Sequence, residues 1–459
     1  MMHEKTTICA PATTTGGAIA VIRVSGPKTF TILDKVFSKS LRDVKGYTLH
    51  YGQIKDTMAD AVIDEVLVSV FHAPHSYTGE ESAEISCHAS GYIVNMIINT
   101  LVKNGCQVAQ PGEFTKRAYL NGKMDLSQAE AVADLIASEN RASHDIAINQ
   151  LKGGFASELA ILREHLLKLT SLLELELDFS DHEDIEFADR TELKNLAELI
   201  DSKVISLAKS FETGQAIKKG IQVAIIGKTN VGKSTLLNQL LHEDKAIVSS
   251  THGTTRDVIE DTTIINGYAF RFIDTAGIRD TDDEVERLGI ERTYQKIEQA
   301  RIVIWVTDTQ PTDAETSDIR SRTKGKKLIC VRNKCDEHPL QPRLSSVDSW
   351  QYCSEDIIQI SAKYGANLHL LEYAIFSAAE IPKTNDGDII VTSARHYNIL
   401  CRAHEEMLRV KENLYLEVSG DLVSEDLRQA VHTLAEITGG EISSQDTLNN
   451  IFSHFCVGK

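Results

Sequence analysis

Between residue 221 and about residue 379 the chain alternates two rhythms. Short β-branched runs (IQVAIIG, FRFIDTAG, RIVIWVTD, KKLICVRNKCD, IIQISA) are separated by stretches whose apolar residues fall three or four apart. This alternation predicts a parallel sheet with crossover helices. Residues 1–120 read differently. Strand-like runs (AIAVIRVSG, DEVLVSVF) and one helical stretch (GYIVNMIINTLVKNG) are punctuated by Gly and Pro, which predicts a small α/β domain. From Gly122 the rhythm becomes helical for some fifty residues, with almost no Gly or Pro. A further helix carries Leu193, Leu196, Ile200, Val204, Leu207 and Phe211 on one stripe. After Pro382 amphipathic helices return (ARHYNILCRAHEEMLRVKENL, SEDLRQAVHTLAEITG, SSQDTLNNIFSHF). The economical architecture is a helical domain, 121–218 and 380–459, interrupted by an α/β domain at 219–379. Insertion of this kind works where a host's entry and exit points are close.

Length and charge sharpen this picture. At roughly 150 residues per domain, 459 residues suit about three domains. A net charge of −18 argues against a protein that coats nucleic acid through clustered Lys and Arg. The basic run RSRTKGKK (320–327) is expected to be a solvated loop before a strand, and the acidic DFSDHEDIEFADR (178–190), which lacks the spacing and turn Gly of a calcium loop, a solvated interhelical loop. No run of about 18 apolar residues predicts a membrane span. The N-terminus lacks the basic-then-apolar layout of a secretory signal. Eight scattered cysteines, with no C-x-x-C pair, read as reduced thiols in a cytosol.

The chemistry lies in the inserted domain. GKTNVGKS (227–234) follows a predicted strand and opens a helix, the setting in which a Gly-rich loop wraps phosphates with backbone N–H groups. Within it Asn230, Val231, Gly232, Lys233, Ser234 and Thr235 are candidate phosphate contacts. Lys233 reaches the β- and γ-phosphates and Ser234 ligates Mg²⁺. DTAG supplies Asp274, Thr275, Ala276 and Gly277, with Asp274 on the Mg²⁺ through water and Gly277 N–H on the γ-phosphate. The loop STHGTTRD between these motifs offers Thr255 as a second hydroxyl for Mg²⁺. NKCD (333–336) and SAK (361–363) follow further strands. Asp336 accepts from guanine N1–H and N2–H₂, Asn333 bonds the guanine edge, Lys334 lies along the base, and Ala362 N–H, between Ser361 and Lys363, meets guanine O6. A site built on such polar pairs rejects adenine by roughly 10⁴ or more. These motifs, in this order, predict a Ras-like P-loop GTPase domain.

One element of that pattern is absent. Where Ras-like switches carry a water-orienting Gln after DTAG, this chain has Ile278, which has no hydrogen-bonding side chain. Two features are candidates to replace it. Asn230 offers an amide oxygen to a monovalent cation, which neutralises charge as an arginine finger would, with backbone carbonyls from VSSTHGTT (248–255) as further ligands. Past Gly277, DDEVERLGIER offers Glu284 or Glu286 to orient water, against the alternative of a solvated helix start.

The stretches AIAVIRVSG, SYTGEE, PGEFTKRAYLNGKMDLSQAEAVADLI, GKTNVGKST, GTTRDV, DTAGIRDTDDEVERLGIER, VRNKCD and FCVGK together resemble the MnmE (TrmE) family of tRNA modification GTPases, over essentially the full length. The resemblance implies a cytoplasmic homodimer, paired through a folate-binding-like N-terminal domain. It also implies an FAD-carrying partner of the MnmG (GidA) type, the FAD belonging to the partner only. Together they add an aminomethyl or carboxymethylaminomethyl group at C5 of the tRNA wobble uridine. The family's motifs assign a formyl-tetrahydrofolate or related one-carbon folate to Arg23, Glu80, Lys123 and Lys459. They assign water orientation to Glu286 and potassium to Asn230 with Ser249, Thr251 and Thr254. Ser250, His252 and Gly253 fall in the same GTP-contacting loop, with His252 at a position where the family has Gly or Ala. Cys456, which composition alone reads as a small core residue beside Phe452 and Phe455, takes a role in modification from the family. The competing reading is a ribosome-assembly or regulatory GTPase without one-carbon chemistry. It needs neither a folate pocket nor the closing FCVGK.

Overall fold

The computed structural model describes every residue except 1–5, 15, 180–189, 243–260, 274–296, 338–356, 382–388, 441–447, 449, 450, 454, 456, 457 and 459. The chain forms two compact units, one of residues 1–137, 148–204 and 399–459, the other of 138–147 and 205–398.

In the first unit, β1 (Ile8–Pro11), β2 (Ile19–Ser25), β3 (Thr48–Asp56), β4 (Ala61–Phe71), β5 (Ser82–His88) and β6 (Gln107–Val108) form one sheet in the order β3-β4-β5-β2-β1-β6. Helices α1 (Thr29–Val36) and α2 (Gly91–Lys103) bury their apolar stripes on one face. Alternation explains why: Ile22 and Val24 of β2, and Val66, Val68 and Val70 of β4, sit two apart and all enter that core. Helices α3 (Glu113–Leu120), α4 (Leu126–Ile136), α5 (Arg141–Leu151), α6 (Gly154–Phe179) and α7 (Arg190–Lys219) follow, with residues 141–147 of α5 and 205–219 of α7 belonging to the second unit.

The fifty-residue helical stretch is therefore broken, and local chemistry marks each break. Asp125 caps α4 in a reciprocal box with Gln128. Asn140 Oδ1 accepts the Ser143 N–H at 2.9 Å just where α5 begins. The pair Gly153-Gly154 separates α5 from α6, Gly153 at φ +85°. In α7 the predicted stripe is buried at Leu193, Ile200, Val204 and Leu207, joined by Ala197. The acidic segment lies almost wholly outside the described residues.

The second unit carries β7 (Ile221–Ile226), α8 (Lys233–His242), β8 (Asp261–Ile265), β9 (Tyr268–Phe272), β10 (Ile302–Thr307), α9 (Asp313–Arg322), β11 (Lys327–Arg332), β12 (Ile358–Gln359) and α10 (Leu368–Ala378). The sheet order is β12-β11-β10-β7-β9-β8, with all neighbours parallel except the β8–β9 hairpin. Both faces are covered, as a parallel sheet requires. Ile221, Val223 and Ile225 of β7 and Ile302, Ile304 and Val306 of β10 meet Leu236, Leu240, Leu371 and Ile375 on one side. Ala224, Ile226, Val303 and Trp305 face Ile297 and Ala300 on the other. The basic run 320–327 is less solvated than expected. Arg320 and Arg322 end α9, the Lys326 ammonium donates to the carbonyls of Glu298 at 2.5 Å and Ala300 at 2.8 Å, and Lys327 pairs with Glu380.

Helices α11 (Ala394–Tyr415) and α12 (Gly420–Thr438) follow. Within the first unit, α12 packs along α6, with Arg428 3.4 Å from Glu174. The described part of the tail returns to the start of the chain: Leu448 and Phe452 join Leu126 and Ala129 in one cluster, and the Tyr119 hydroxyl donates to Gly439 O at 2.9 Å. Among the described residues no helix is long and apolar enough to cross a membrane. An N-terminal α/β domain, helical segments and a P-loop domain interrupting them are thus the fold.

Candidate functional site

Five parallel strands of the second unit end along one edge of the sheet, and the described motifs stand there. Crevices outside the carboxyl ends of such strands are where open α/β sheets bind ligands.

The phosphate loop leaves β7 under two constraints that only glycine meets. Gly227 has φ +148°, and a Cβ there would lie 2.2 Å from Val306 O of the neighbouring strand. Gly232 has φ +96°, and its Cβ would lie 2.2 Å from Asn333 Nδ2. Between them Asn230 takes a left-handed φ of +62°, a conformation Asn tolerates better than most residues, and it is exposed. Val231 is buried in the core beside α8, which anchors the loop. Lys233 opens α8, where backbone N–H groups and the helix dipole favour anions. Its ammonium arches over the loop and donates to Gly227 O at 2.9 Å and Lys228 O at 2.6 Å. Ser234 and Thr235 follow in the first turn, with Thr235 exposed.

Asn333 knits the edge together. It is 3% exposed; its Nδ2 donates to Val231 O at 2.8 Å and its Oδ1 accepts the Ala362 N–H at 2.9 Å. One amide therefore ties the phosphate loop, NKCD and SAK. These are bonds within the protein, formed because buried polar groups take the partners that tertiary packing brings within reach; the guanine contacts of Asn333 and of Ala362 N–H are a separate expectation. Lys334 has φ +61° and its ammonium lies 3.0 Å from Asp308 Oδ2. Asp336 and Lys363 are exposed at the rim, Lys363 with its ammonium 5.1 Å from the Tyr364 ring centroid. Ser361 is buried, and its hydroxyl has no hydrogen-bond partner among the described residues. An orphaned buried hydroxyl within SAK, next to NKCD, fits a site made for a polar ligand.

Two acidic residues of this edge were not singled out by the sequence reading. Asp308 follows β10, and Glu315 in α9 lies 2.5 Å from Lys228 of the phosphate loop. That ammonium, with the Thr312 N–H, holds the Glu315 carboxyl below its ordinary range. The available signal was positional: Asp308 closes the apolar run IVIWVT just as the recognised motifs close theirs. Ser249, Ser250, Thr251, His252, Gly253, Thr254, Thr255, Asp274, Thr275, Ala276, Gly277, Ile278, Glu284, Glu286, Cys456 and Lys459 lie outside the described residues.

The N-terminal candidates occupy the first unit. Arg23 of β2 donates to Glu84 Oε1 at 3.0 and 2.8 Å and to Gly458 O at 3.4 Å. Its guanidinium carbon stands 5.1 Å from the Tyr77 ring and 5.6 Å from the Phe114 ring, a cation–π arrangement. Glu80 is 8% exposed and accepts from Ser25 Oγ at 3.0 Å and Arg117 Nη1 at 3.1 Å. Lys123 is anchored separately, its ammonium 3.0 Å from Pro74 O. Arg117, Tyr77 and Phe114, which lie in the stretches SYTGEE and PGEFTKRAYL, are the partners that motif spacing alone does not single out.

A family model described as the GTP-binding protein TrmE N-terminus matches residues 7–123, and one described as the MnmE helical domain matches residues 126–456. The tRNA modification GTPase MnmE of Phocaeicola vulgatus is 51% identical, with 100% of both chains covered. That of Parabacteroides distasonis is 52% identical over 99% of this chain and 100% of its own. The Bacteroides fragilis protein of the same name is 52% identical, covering 99% of each. An identity this high, sustained from end to end and matched by a phosphate loop bonded to its base-reading loops, means that the chain belongs to the MnmE family of tRNA modification GTPases.

Proposed function

We propose that this chain hydrolyses GTP to GDP and phosphate, and that this reaction serves modification of the tRNA wobble uridine. The observation that carries the reading is the Asn333 amide, which joins the phosphate loop to both base-reading loops at one sheet edge. Nucleotide binding in this family goes with Mg²⁺. Ser234 stands in the first turn of α8 as one ligand, and Thr255 and Asp274 are proposed as the others. Lys233 neutralises the phosphates and Asp336 reads the base.

For hydrolysis we assign Glu286 to water orientation and Asn230, Ser249, Thr251 and Thr254 to a potassium ion. The exposed, left-handed Asn230 supports a ligand there, since its amide is presented at the loop surface. When bound, the ion supplies positive charge where negative charge builds between the phosphates. GTP turnover is accordingly expected to rise several-fold when potassium replaces sodium, and Asn230→Ala to abolish the rise. Equal rates of the wild type in both salts would remove the cation.

The rest of the proposal concerns the first unit and its partners. A formyl-tetrahydrofolate or related folate is assigned to the region of Arg23, Glu80, Lys123 and Lys459. The aromatic walls Tyr77 and Phe114 beside a guanidinium suit a flat, anionic ligand of that kind. Cys456 acts in modification, the chain pairs with a second copy through residues 1–120, and an FAD-containing MnmG-type protein completes the machine in the cytoplasm. The domain boundaries proposed are 120, 218 and 379.

The reading is tested by nucleoside analysis of tRNA from a strain lacking this gene. Loss of the C5 group on the wobble uridine, restored by the wild type and not by Lys233→Ala, is the expected outcome. Fully modified tRNA in the deletion strain would leave a GTPase of the assembly or regulatory kind.

A further inference from the structure

Lys334 is the residue expected to lie along the guanine, and its side chain has four rotatable bonds between backbone and charge. A rail for a flat base works only if its tip is fixed, because each ordering of such a side chain on binding costs entropy. The backbone begins the job. Lys334 is held at φ +61° in a tight turn, with Asn333 N–H donating to Thr307 O at 2.7 Å, Cys335 N–H to Ile360 O at 3.2 Å and Glu337 N–H to Lys334 O at 3.0 Å. A left-handed Lys kept in place by its surroundings is a strained residue of the sort that gathers at functional sites.

The register of the sheet does the rest. β10 and β11 run parallel with Thr307 opposite Arg332, so Asp308 is level with Asn333 and one step from Lys334. The Asp308 carboxylate meets the Lys334 ammonium at 3.0 Å, each side chain about one-third exposed, at 27% and 32%. Burial alone pushes the Asp308 carboxyl up, but the hydrogen bond and charge of Lys334, with the N–H groups of Asp308 and Thr309, bring it below the ordinary carboxylate range. It is a fixed anion at the mouth of a site built for a polyanion. Such a charge is tolerable there only while a cation covers it.

We infer that Asp308 is a positioning residue for the guanine nucleotide: its carboxylate pins the Lys334 ammonium so that the lysine stem is already laid out when the base arrives. The inference rests on the proposed GTP site and adds a residue to it. Asp308 itself touches neither base nor phosphate; it acts through Lys334.

The test titrates GDP into the full chain by calorimetry for the wild type, Asp308→Asn, Lys334→Ala and the double variant. Asp308→Asn is expected to weaken GDP by about fivefold, the scale of one freed side chain and one part-exposed ion pair. The loss should appear in KM for GTP, and Asp308→Glu should recover part of it. In the Lys334→Ala background the sign changes. There the carboxylate is left without its cation beside an anionic nucleotide, so adding Asp308→Asn leaves GDP affinity unchanged or improves it. A merely structural aspartate would weaken binding equally in both backgrounds. That additive result, tighter GDP binding by Asp308→Asn alone, or unaltered binding would each overturn the inference. Absence of GDP binding by the wild type would instead sink the GTP site itself.

Discussion

GDP affinity is expected to fall by about a hundredfold or more in Asn333→Ala, with a lower unfolding temperature, because two buried groups lose their partner at about 1–3 kcal/mol each. The groups are Val231 O and Ala362 N–H, which Asn333 satisfies at 2.8 and 2.9 Å. Val231 fixes the phosphate loop and Ala362 the SAK turn, so the loss reaches residues that the asparagine never touches. Asn333→Asp discriminates further. It keeps an acceptor for Ala362 N–H but sets a carboxylate against the Val231 carbonyl, and should be at least as damaging as alanine. GDP titration with thermal unfolding checks both, and affinity within twofold of the wild type would show that another residue holds the loops together.

Gly232→Ala is expected to lose GDP binding on a similar scale, for a related reason. The new Cβ would sit 2.2 Å from Asn333 Nδ2, far inside contact distance, and φ +96° is costly for any residue with a Cβ, by about 1–3 kcal/mol. The Asn333 amide is held at both its nitrogen and its oxygen, so moving aside breaks its bond to Val231. The damage therefore travels through the same side chain. Combining Gly232→Ala with Asn333→Ala should cost less than the sum of the two, since the clash partner has gone. Strict additivity of the two losses in GDP titration would separate the glycine from the asparagine.

These expectations mark what the sequence yields and what it withholds. GKTNVGKS, NKCD and SAK were legible because each is a short run at the end of a β-branched segment. The alternation of Ile221, Val223 and Ile225 with Ala224 and Ile226 already implies a sheet covered on both faces. The partners of Asn333 were not legible, because Val231 and Ala362 are 102 and 29 residues away and reach it only through strand register. Asp308 was hidden for the same reason: an acid after a strand has no signature until a parallel neighbour sets Lys334 beside it. The break in the helical stretch after Gly122 is not legible from apolar spacing: α4 ends at Ile136, and the Asn140 amide, accepting the Ser143 N–H, restarts the chain as α5. In the N-terminal domain Arg23 was visible only through its family. Its aromatic walls, Tyr77 and Phe114, come from a loop and a helix that the pattern of alternation does not connect.

A ribosome delivers the tail of this chain last, yet Phe452 lies against Gly112 so closely that a Cβ on that glycine would sit 2.6 Å from the Phe452 carbonyl oxygen. Residues 205–398 therefore leave the exit tunnel while the unit that began first still lacks residues 399–459. Synthesis order and completion order are inverted in this protein. Helices α3 and α4 must wait, with the surface that will receive Leu448 and Phe452 uncovered, until translation is nearly over.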